Sequence, residues 1–168
     1  MSGSGGQVLP DWHMPGLQFV KVYQLQEFSV ATLLPFFNRY GPQLSGLHFR
    51  TAGRVSSLPS ILSRTTTLQS LVICETDLRV LRLIDGQSFP SITHLGLQPP
   101  TLEDKPDLYN IEATSGYFAS LLENRVFPGL KSMRVFGIKD QLSLETDWGK
   151  LSGLCRSQNL VLGAGENY

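Results

Sequence analysis

The sequence predicts an α/β fold in which strands and helices alternate along a repeating chain. An apolar-x-x-apolar-x-apolar unit occurs five times, with its first apolar residue at Leu17, Leu44, Leu68, Ile92 and Leu130. The end of each unit has apolar residues at every second position, which is typical of a strand, and the segments between units have helical spacing. Strands that alternate with helices predict a parallel sheet with helices packed beside it.

The length of the units indicates stacked repeats. The first apolar residues, at positions 17, 44, 68, 92 and 130, are 27, 24, 24 and 38 residues apart. A sixth, degenerate unit is expected, with Leu160 and Leu162 in its strand and Ser157 at the first position. Periods of 24 to 27 fall within the roughly 20–29 residues of leucine-rich repeats. We therefore predict a leucine-rich-repeat solenoid, a right-handed α/β horseshoe segment of about six parallel strands with helices on the convex side.

The chain predicts one domain after a short leader. Residues 1–16 are expected to be a flexible leader and partial N-terminal cap, and residues 17–168 a single leucine-rich-repeat domain. The longest gap between units holds a Pro- and acid-rich stretch, expected to be a surface insertion at about 98–110. A doubly wound α/β sheet is the competing fold. It needs nearly continuous apolar strands, whereas these strands alternate with polar or small residues.

Five of the segments between strands are expected to contain a helix. Gly41-Pro42 marks the end of the first helix, Pro59 suits the first turn of the second, and Gly86 marks the end of the third. The apolar faces of the five consist of Val30, Leu33, Leu34, Phe37 and Tyr40; of Leu58, Ile61 and Leu62; of Leu78, Leu81 and Ile84; of Tyr117, Phe118, Leu121 and Leu122; and of Trp148, Leu151, Leu154 and Cys155.

Composition argues against several classes of protein. Fourteen Lys and Arg residues balance 14 Asp and Glu residues, so a strongly basic nucleic-acid-binding protein is not expected. No apolar run reaches about 18 residues, so no membrane span is expected. Cys74 and Cys155 are far apart and form no CxxC unit, which favours two free thiols in a reducing compartment. An intracellular location, cytoplasmic or nuclear, follows as the expectation.

Several segments are similar to a known family. The run FFNRYGPQLSGLHF at 36–49, LPSIL at 58–62 followed by TLQSLVI at 67–73, FPSITHLGL at 89–97 and FPGL at 127–130 resemble the helix-turn-strand repeat of fungal F-box proteins, especially those of mushroom-forming fungi. Residues 148–162 resemble the closing repeat. The resemblance implies the substrate-recognition part of an F-box-type ubiquitin ligase receptor. No F-box fits the leader, so binding to a cullin-ligase adaptor is expected only if an F-box exists upstream.

In leucine-rich repeats, the residues between and beside the last two strand apolars lie on the concave face. These positions carry basic, histidine and aromatic residues and no acidic residue. They predict a protein partner that is acidic or phosphorylated, held by Arg and Lys with aromatic anchors. The alternative is a solvated face with scattered charges. The residues expected to bind the partner are Phe19, Lys21, Tyr23, His48, Arg50, His94, Gln98, Arg134 and Phe136.

The sequence offers little support for catalysis or metal binding. His13, His48 and His94 are too far apart in the repeat plan for a metal cluster. Cys74 with either of the last two is the only nucleophile geometry to consider, and a small apolar filler is the commoner role for such a cysteine. We expect no catalytic residue, metal or cofactor. An orphan repeat protein and an α/β ligand-binding or enzyme domain remain alternatives, and uncapped edge strands allow a homo-oligomer.

Overall fold

A computed structural model of the chain describes residues 13–24, 30–51, 58–74, 84, 86–98, 111–136 and 149–165. The strands within these ranges are β1 (Phe19–Gln24), β2 (Gly46–Thr51), β3 (Ser70–Cys74), β4 (His94–Gln98), β5 (Ser132–Phe136) and β6 (Val161–Gly165). The helices are α1 (Val30–Tyr40), α2 (Leu58–Leu62), α3 (Ile111–Glu123) and α4 (Gly149–Ser157), and a 3-10 turn at Gly41–Gln43 follows α1.

The strands form one parallel sheet in chain order, β1-β2-β3-β4-β5-β6. Each neighbouring pair is parallel, and equivalent positions of the repeat are paired, as in Leu47 with Leu71 and Leu71 with Leu95. The predicted α/β class and the six parallel strands are therefore confirmed. A doubly wound sheet reverses its strand order at a switch point, and the order of the described strands does not reverse.

Four of the predicted helices are present. α1 ends at Tyr40, immediately before the predicted stop at Gly41-Pro42. Pro59 lies in the first turn of α2, where its missing N–H removes no helical hydrogen bond. The predicted helix around Leu78 and Leu81, the leader up to residue 12 and the insertion from residue 99 to 110 lie outside the described residues. So does Trp148, predicted on the apolar face of the last helix.

A turn opens each of the first five units. The N–H of the first apolar residue donates to the carbonyl three residues earlier, which closes a tight turn and leads the chain into the next strand. The five hydrogen bonds are Leu17 to Met14 (3.2 Å), Leu44 to Gly41 (3.1 Å), Leu68 to Thr65 (3.0 Å), Ile92 to Phe89 (3.3 Å) and Leu130 to Phe127 (3.1 Å). The repeat in the sequence is therefore a repeat of turn and strand together.

One carbonyl immediately before or beside the start of each strand accepts two N–H groups from the next unit. The Gln69 carbonyl accepts from Thr93 and His94, both at 2.9 Å. The carbonyls of Gln18, Ser45 and Thr93 do the same for the units that follow them. We call these four groups the carbonyl ladder. Because each carbonyl holds two consecutive N–H groups, a neighbouring strand cannot slide by one residue without losing these bonds.

The core lies between one face of the sheet and the helices. Strand residues at alternate positions point into it, and the apolar faces of all four helices pack against them. Within α1, the rings of Phe36 and Phe37 pack edge to face, with their centroids 5.3 Å apart. Core residues with no measurable exposure include Phe37, Leu44, Leu47, Phe49, Leu58, Ile61, Leu68, Leu71, Ile84, Val126, Val135, Leu151 and Cys155.

The sixth unit departs from the predicted register. Val161 is paired with Ser132 and Leu162 with Met133, so Asn159 takes the first position and Leu162 the second. The prediction with Ser157 first and Leu160 in the strand is wrong by two residues. The reason is the end of α4, where Asn159 is left-handed (φ 56°) and the Leu160 N–H donates to the Cys155 carbonyl at 2.8 Å. The preceding helix, α3, ends in the same Schellman turn at left-handed Arg125 (φ 52°), but there the first position, Leu130, comes later in the chain, whereas Asn159 is itself the first position.

The turns of successive units pack against each other. The Gln43 side chain donates to the Met14 carbonyl at 2.8 Å, and the Thr67 hydroxyl donates to the Pro42 carbonyl at 2.7 Å. Gly129 occupies the equivalent position of the fifth unit, and a Cβ there would collide with the backbone oxygen of Pro90. The glycine is therefore required because two backbones approach closely, without room for a side chain.

The close approach at Gly129 makes Gly129→Ala destabilising. We expect the free energy of unfolding to fall by about 1–3 kcal/mol, because the new methyl group must push apart two backbones. Gly153→Ala is the matched control. Gly153 is exposed on α4, and a methyl group there would have no atom within 4 Å, so the same change should raise stability by about 0.5–1 kcal/mol. Urea unfolding measures both, and equal effects would contradict the stacked-turn geometry.

Candidate interaction surface on the non-core face of the sheet

The strand residues that alternate with the core positions lie on the opposite face of the sheet, here called the non-core face. Strand register arranges them in three rows across the sheet. Row 1 consists of Phe19, Gly46, Ser70, His94, Ser132 and Val161. Row 2 consists of Lys21, His48, Val72, Gly96, Arg134 and Gly163. Row 3 consists of Tyr23, Arg50, Cys74, Gln98, Phe136 and Gly165.

All nine residues predicted to bind a partner lie in these rows. Lys21, His94 and Arg134 are exposed, and Phe19 exposes 46% of its surface although it is a large apolar residue. Gln98 is half-buried. Tyr23 and Arg50 are paired in register, and the structure describes their backbone only. These placements follow from the alternation of side chains along each strand.

Two of the predicted contact residues are buried. His48 exposes 1% of its surface and Phe136 exposes 4%. Both lie on the expected face, but neither presents a surface that a rigid partner could cover. They contribute to the shape of the face rather than to direct contact. Among the described side chains, the exposed members of the predicted set are therefore Phe19, Lys21, His94 and Arg134, and Gln98 is half-buried.

A depression of about 270 Å³ lies over β4 and β5. Gly96 forms part of its floor, and the Phe136 side chain extends across the sheet toward it. A Cβ at Gly96 would be 2.7 Å from Phe136 Cε2 and 2.8 Å from Val72 Cγ2, so only glycine leaves room for this arrangement. The lining residues are Ser70, Val72, His94, Leu95, Gly96, Ser132, Met133, Arg134, Phe136, Val161 and Gly163.

Arg134 stands between two glycines. Its neighbours across the sheet are Gly96 on β4 and Gly163 on β6. Within the described part of the chain the Arg134 guanidinium makes no hydrogen bond or ion pair, and a Cβ at Gly163 would have no atom within 4 Å. The guanidinium therefore has open space on the Gly163 side, whereas Phe136 and Val72 occupy the space over Gly96. It has five N–H donors to offer to a ligand.

His94 is held by a neighbouring hydroxyl. Its Nδ1 lies 2.8 Å from Thr93 Oγ1, and that hydroxyl lies 3.3 Å from the Gln69 carbonyl oxygen. If the Thr93 hydroxyl donates to Gln69, it accepts from Nδ1–H of His94. This arrangement orients the imidazole and leaves Nε2 for a ligand.

The nine residues selected from the sequence leave out most of the residues that line the depression, among them three beside His94. Ser70, Ser132 and Val161 lie in row 1 beside His94, and Val161 exposes 68% of its surface. Serine and valine have no chemistry that marks them as binding residues in a sequence. The signal that could have identified them is the register itself, because all three occupy the row of His94.

The described residues contain no group of three or more His, Cys, Asp and Glu side chains that could hold a metal ion. His48 and His94 lie on β2 and β4 with β3 between them, and in different rows. The longest helix in the described ranges, α3, has 13 residues. None of the helices described combines the length and apolar composition that crossing a bilayer requires.

Comparison of the chain with protein-family models, with curated proteins and with solved structures found no match. The fold and the non-core face are therefore interpreted from their own geometry.

The Cys155 thiol is expected to be unreactive in the folded protein. Cys155 is fully buried on α4, and burial raises the pKa of the thiol to about 11 because the thiolate loses its hydration. In a Cys74→Ser variant, Cys155 is the single cysteine, and a disulfide reagent at pH 8 should label it only after unfolding in urea. Rapid labelling without urea would contradict its burial in the core.

Proposed function

We propose that the chain is a leucine-rich-repeat interaction module that binds a protein partner on the non-core face. The observation that carries this proposal is the row register. It gathers basic, histidine and aromatic residues from four separate units on one face, while the other face is filled by the core. Repeat proteins commonly bind their partners on an extended surface to which each unit contributes equivalent residues.

Three features support the solenoid. The strands are adjacent in chain order, the opening turn recurs in five units, and the carbonyl ladder links each of the first four units to the next. The helices follow the same rule, because α1 contacts α2 and α3 contacts α4. In a solenoid each unit contacts its sequence neighbours, and its curved sheet leaves one face for a partner. We assign that role to the non-core face, with the helices on the convex side.

Charge supports an acidic or phosphorylated partner. The three rows contain Lys21, Arg50 and Arg134 and no Asp or Glu. The chain as a whole has a formal net charge of zero, so these rows are more basic than the chain average. A face with this local charge favours approach of a negatively charged surface and disfavours a basic one. Exposed Phe19 and Val161 offer apolar contact area beside the charges.

The likeness to fungal F-box proteins extends the proposal to substrate recognition in ubiquitin transfer. In that role the module holds the substrate, and a separate F-box couples it to the cullin-ligase adaptor. The module itself needs no catalytic residue and no cofactor, because binding and positioning are its whole contribution. An intracellular site of action belongs to the same proposal.

Charge reversal on the non-core face tests the proposal. Peptides are first selected from a random display library on the wild-type protein, and their affinities are measured by fluorescence anisotropy. The Arg50→Glu/Arg134→Glu double variant should bind the selected peptides at least about tenfold more weakly, because two cations become anions facing an acidic ligand.

The matched control is Arg125→Glu/Lys150→Glu. Both residues are exposed outside the sheet, and the change in net charge is the same. We expect this control to bind like the wild type. Equal weakening in both double variants would point to a general charge effect, and unchanged binding in the first would remove the non-core face as the binding site.

A further inference from the structure

We propose that the depression over β4 and β5 binds the phosphoryl group of a phosphorylated serine or threonine in the partner. This inference rests on the proposed function and narrows the acidic or phosphorylated ligand to one chemistry at one place on the non-core face. The groups that bind the phosphoryl oxygens are the Arg134 guanidinium, the His94 imidazole and the hydroxyls of Ser70 and Ser132, all of which line the depression.

The Arg134 guanidinium and the His94 imidazole can reach one ligand. His94 is paired with Ser132, and Arg134 lies two residues further along the same strand. Neighbouring strands are about 4.8 Å apart and two residues span about 6.6 Å, so the two Cα atoms are about 8 Å apart. Both side chains project from the same face. A tetrahedral anion between them is within reach of a guanidinium and an imidazole.

The surroundings of Arg134 leave it available for this role. Gly163 flanks it on β6 and leaves open space, whereas the space over Gly96 on β4 is taken by Phe136 and Val72. Within the described ranges no carboxylate pairs with it. A guanidinium on a strand, with no partner among the described residues, can form paired N–H···O bonds to a phosphoryl group.

His94 is oriented by its neighbour. The Thr93 hydroxyl fixes Nδ1 at 2.8 Å, which directs Nε2 away from the backbone of Thr93. With hydrogens on both ring nitrogens, the imidazole donates from Nε2–H to a phosphoryl oxygen while Nδ1–H donates to the Thr93 hydroxyl. The hydroxyl then donates to the Gln69 carbonyl, 3.3 Å away. Every polar atom in this series of hydrogen bonds, from the ligand through His94 and Thr93 to Gln69, has a consistent donor or acceptor role.

The donor count favours a phosphoryl group over a carboxylate. Arg134 and His94 supply charged donors, and the hydroxyls of Ser70 and Ser132 supply neutral ones. A phosphate monoester has three terminal oxygens and close to two negative charges near neutral pH, whereas a carboxylate has two oxygens and one charge. The second charge and third oxygen are used only if the ligand is phosphorylated.

The size of the depression fits a side-chain group. Its volume of about 270 Å³ lies just below the roughly 300–1,000 Å³ of pockets that enclose whole small molecules. Val72, Phe136 and exposed Val161 supply an apolar wall beside the polar groups. Such a wall lowers the local dielectric and so strengthens the charged hydrogen bonds. It also gives the residues beside the phosphorylated one an apolar surface to contact.

Three matched peptide pools test the inference. Each pool has random flanking residues and a fixed centre, which is phosphoserine, aspartate or serine. We expect the phosphoserine pool to bind the wild-type protein at least about tenfold more tightly than the aspartate pool. Amide signals of Gly96, Ser132 and Gly163 should shift on titration with phosphoserine peptides selected from the pool, which locates the ligand over β4 and β5.

Two variants test separately the charge of Arg134 and the open volume of the depression. Arg134→Gln should weaken phosphoserine binding at least about tenfold and remove the preference over aspartate. Gly163→Leu should fill the depression without a clash, because a Cβ there meets no atom within 4 Å. It should abolish phosphoserine binding while the protein keeps its thermal stability. Gly153→Leu, on the exposed surface of α4, is the size-matched control and should bind normally.

The outcomes distinguish this inference from the proposed function. If serine and phosphoserine pools bind equally and charge reversal still weakens binding, the face binds proteins and the phosphoryl site is wrong. If no pool binds and the peptides from display are insensitive to charge reversal, both proposals fail. Inorganic phosphate that binds as tightly as the peptides would reduce the depression to a simple anion site. A single-stranded RNA that displaces the phosphopeptides at lower concentration would also overturn the inference.

Discussion

The carbonyl ladder is the constraint from which the rest of the architecture follows. The Gln18, Ser45, Gln69 and Thr93 carbonyls each accept two consecutive N–H groups of the following unit. The bonds fix where each strand starts relative to the one before it. Alternate residues then point consistently toward the helices or away from them, and the core residues of all units meet in one layer. Units of 24, 27 and 38 residues share this geometry because the extra residues are accommodated between the strands.

The same constraint builds the non-core face. Residues that are 24 or more positions apart in the chain become neighbours because their units start in the same register. The two sides of the sheet then differ in how closely their side chains pack. The core side is filled, whereas a depression lies on the other side, where Gly96 makes room for Phe136 and Val72 and Gly163 leaves open space beside Arg134. A small residue at a strand position is thus as informative about the surface as a charged one.

Much of this arrangement was accessible from sequence, and the exceptions have physical causes. The unit pattern predicted the strands and their parallel pairing because turn, strand and core positions all repeat together. The helix at Leu58–Leu62 was predictable from three apolar residues and Pro59. The register of the sixth strand was not, since the left-handed Asn159 of the Schellman turn itself takes the first position of the unit, which apolar spacing does not reveal. The burial of His48 was also not predictable, because alternation assigns a face but not what packs on that face. Ser70 and Ser132 joined the candidate site through their row rather than through their own chemistry.

The most direct test of the account measures the carbonyl ladder itself. Hydrogen-bond scalar couplings in isotope-labelled protein connect an amide nitrogen to the carbonyl carbon that accepts its hydrogen. The account predicts that the Gln69 carbonyl carbon couples to the amides of both Thr93 and His94, and that the Ser45 carbonyl carbon couples to those of Gln69 and Ser70. Coupling of these carbonyls to amides of a strand that is not next in the chain would contradict the strand order, the rows and the candidate site together.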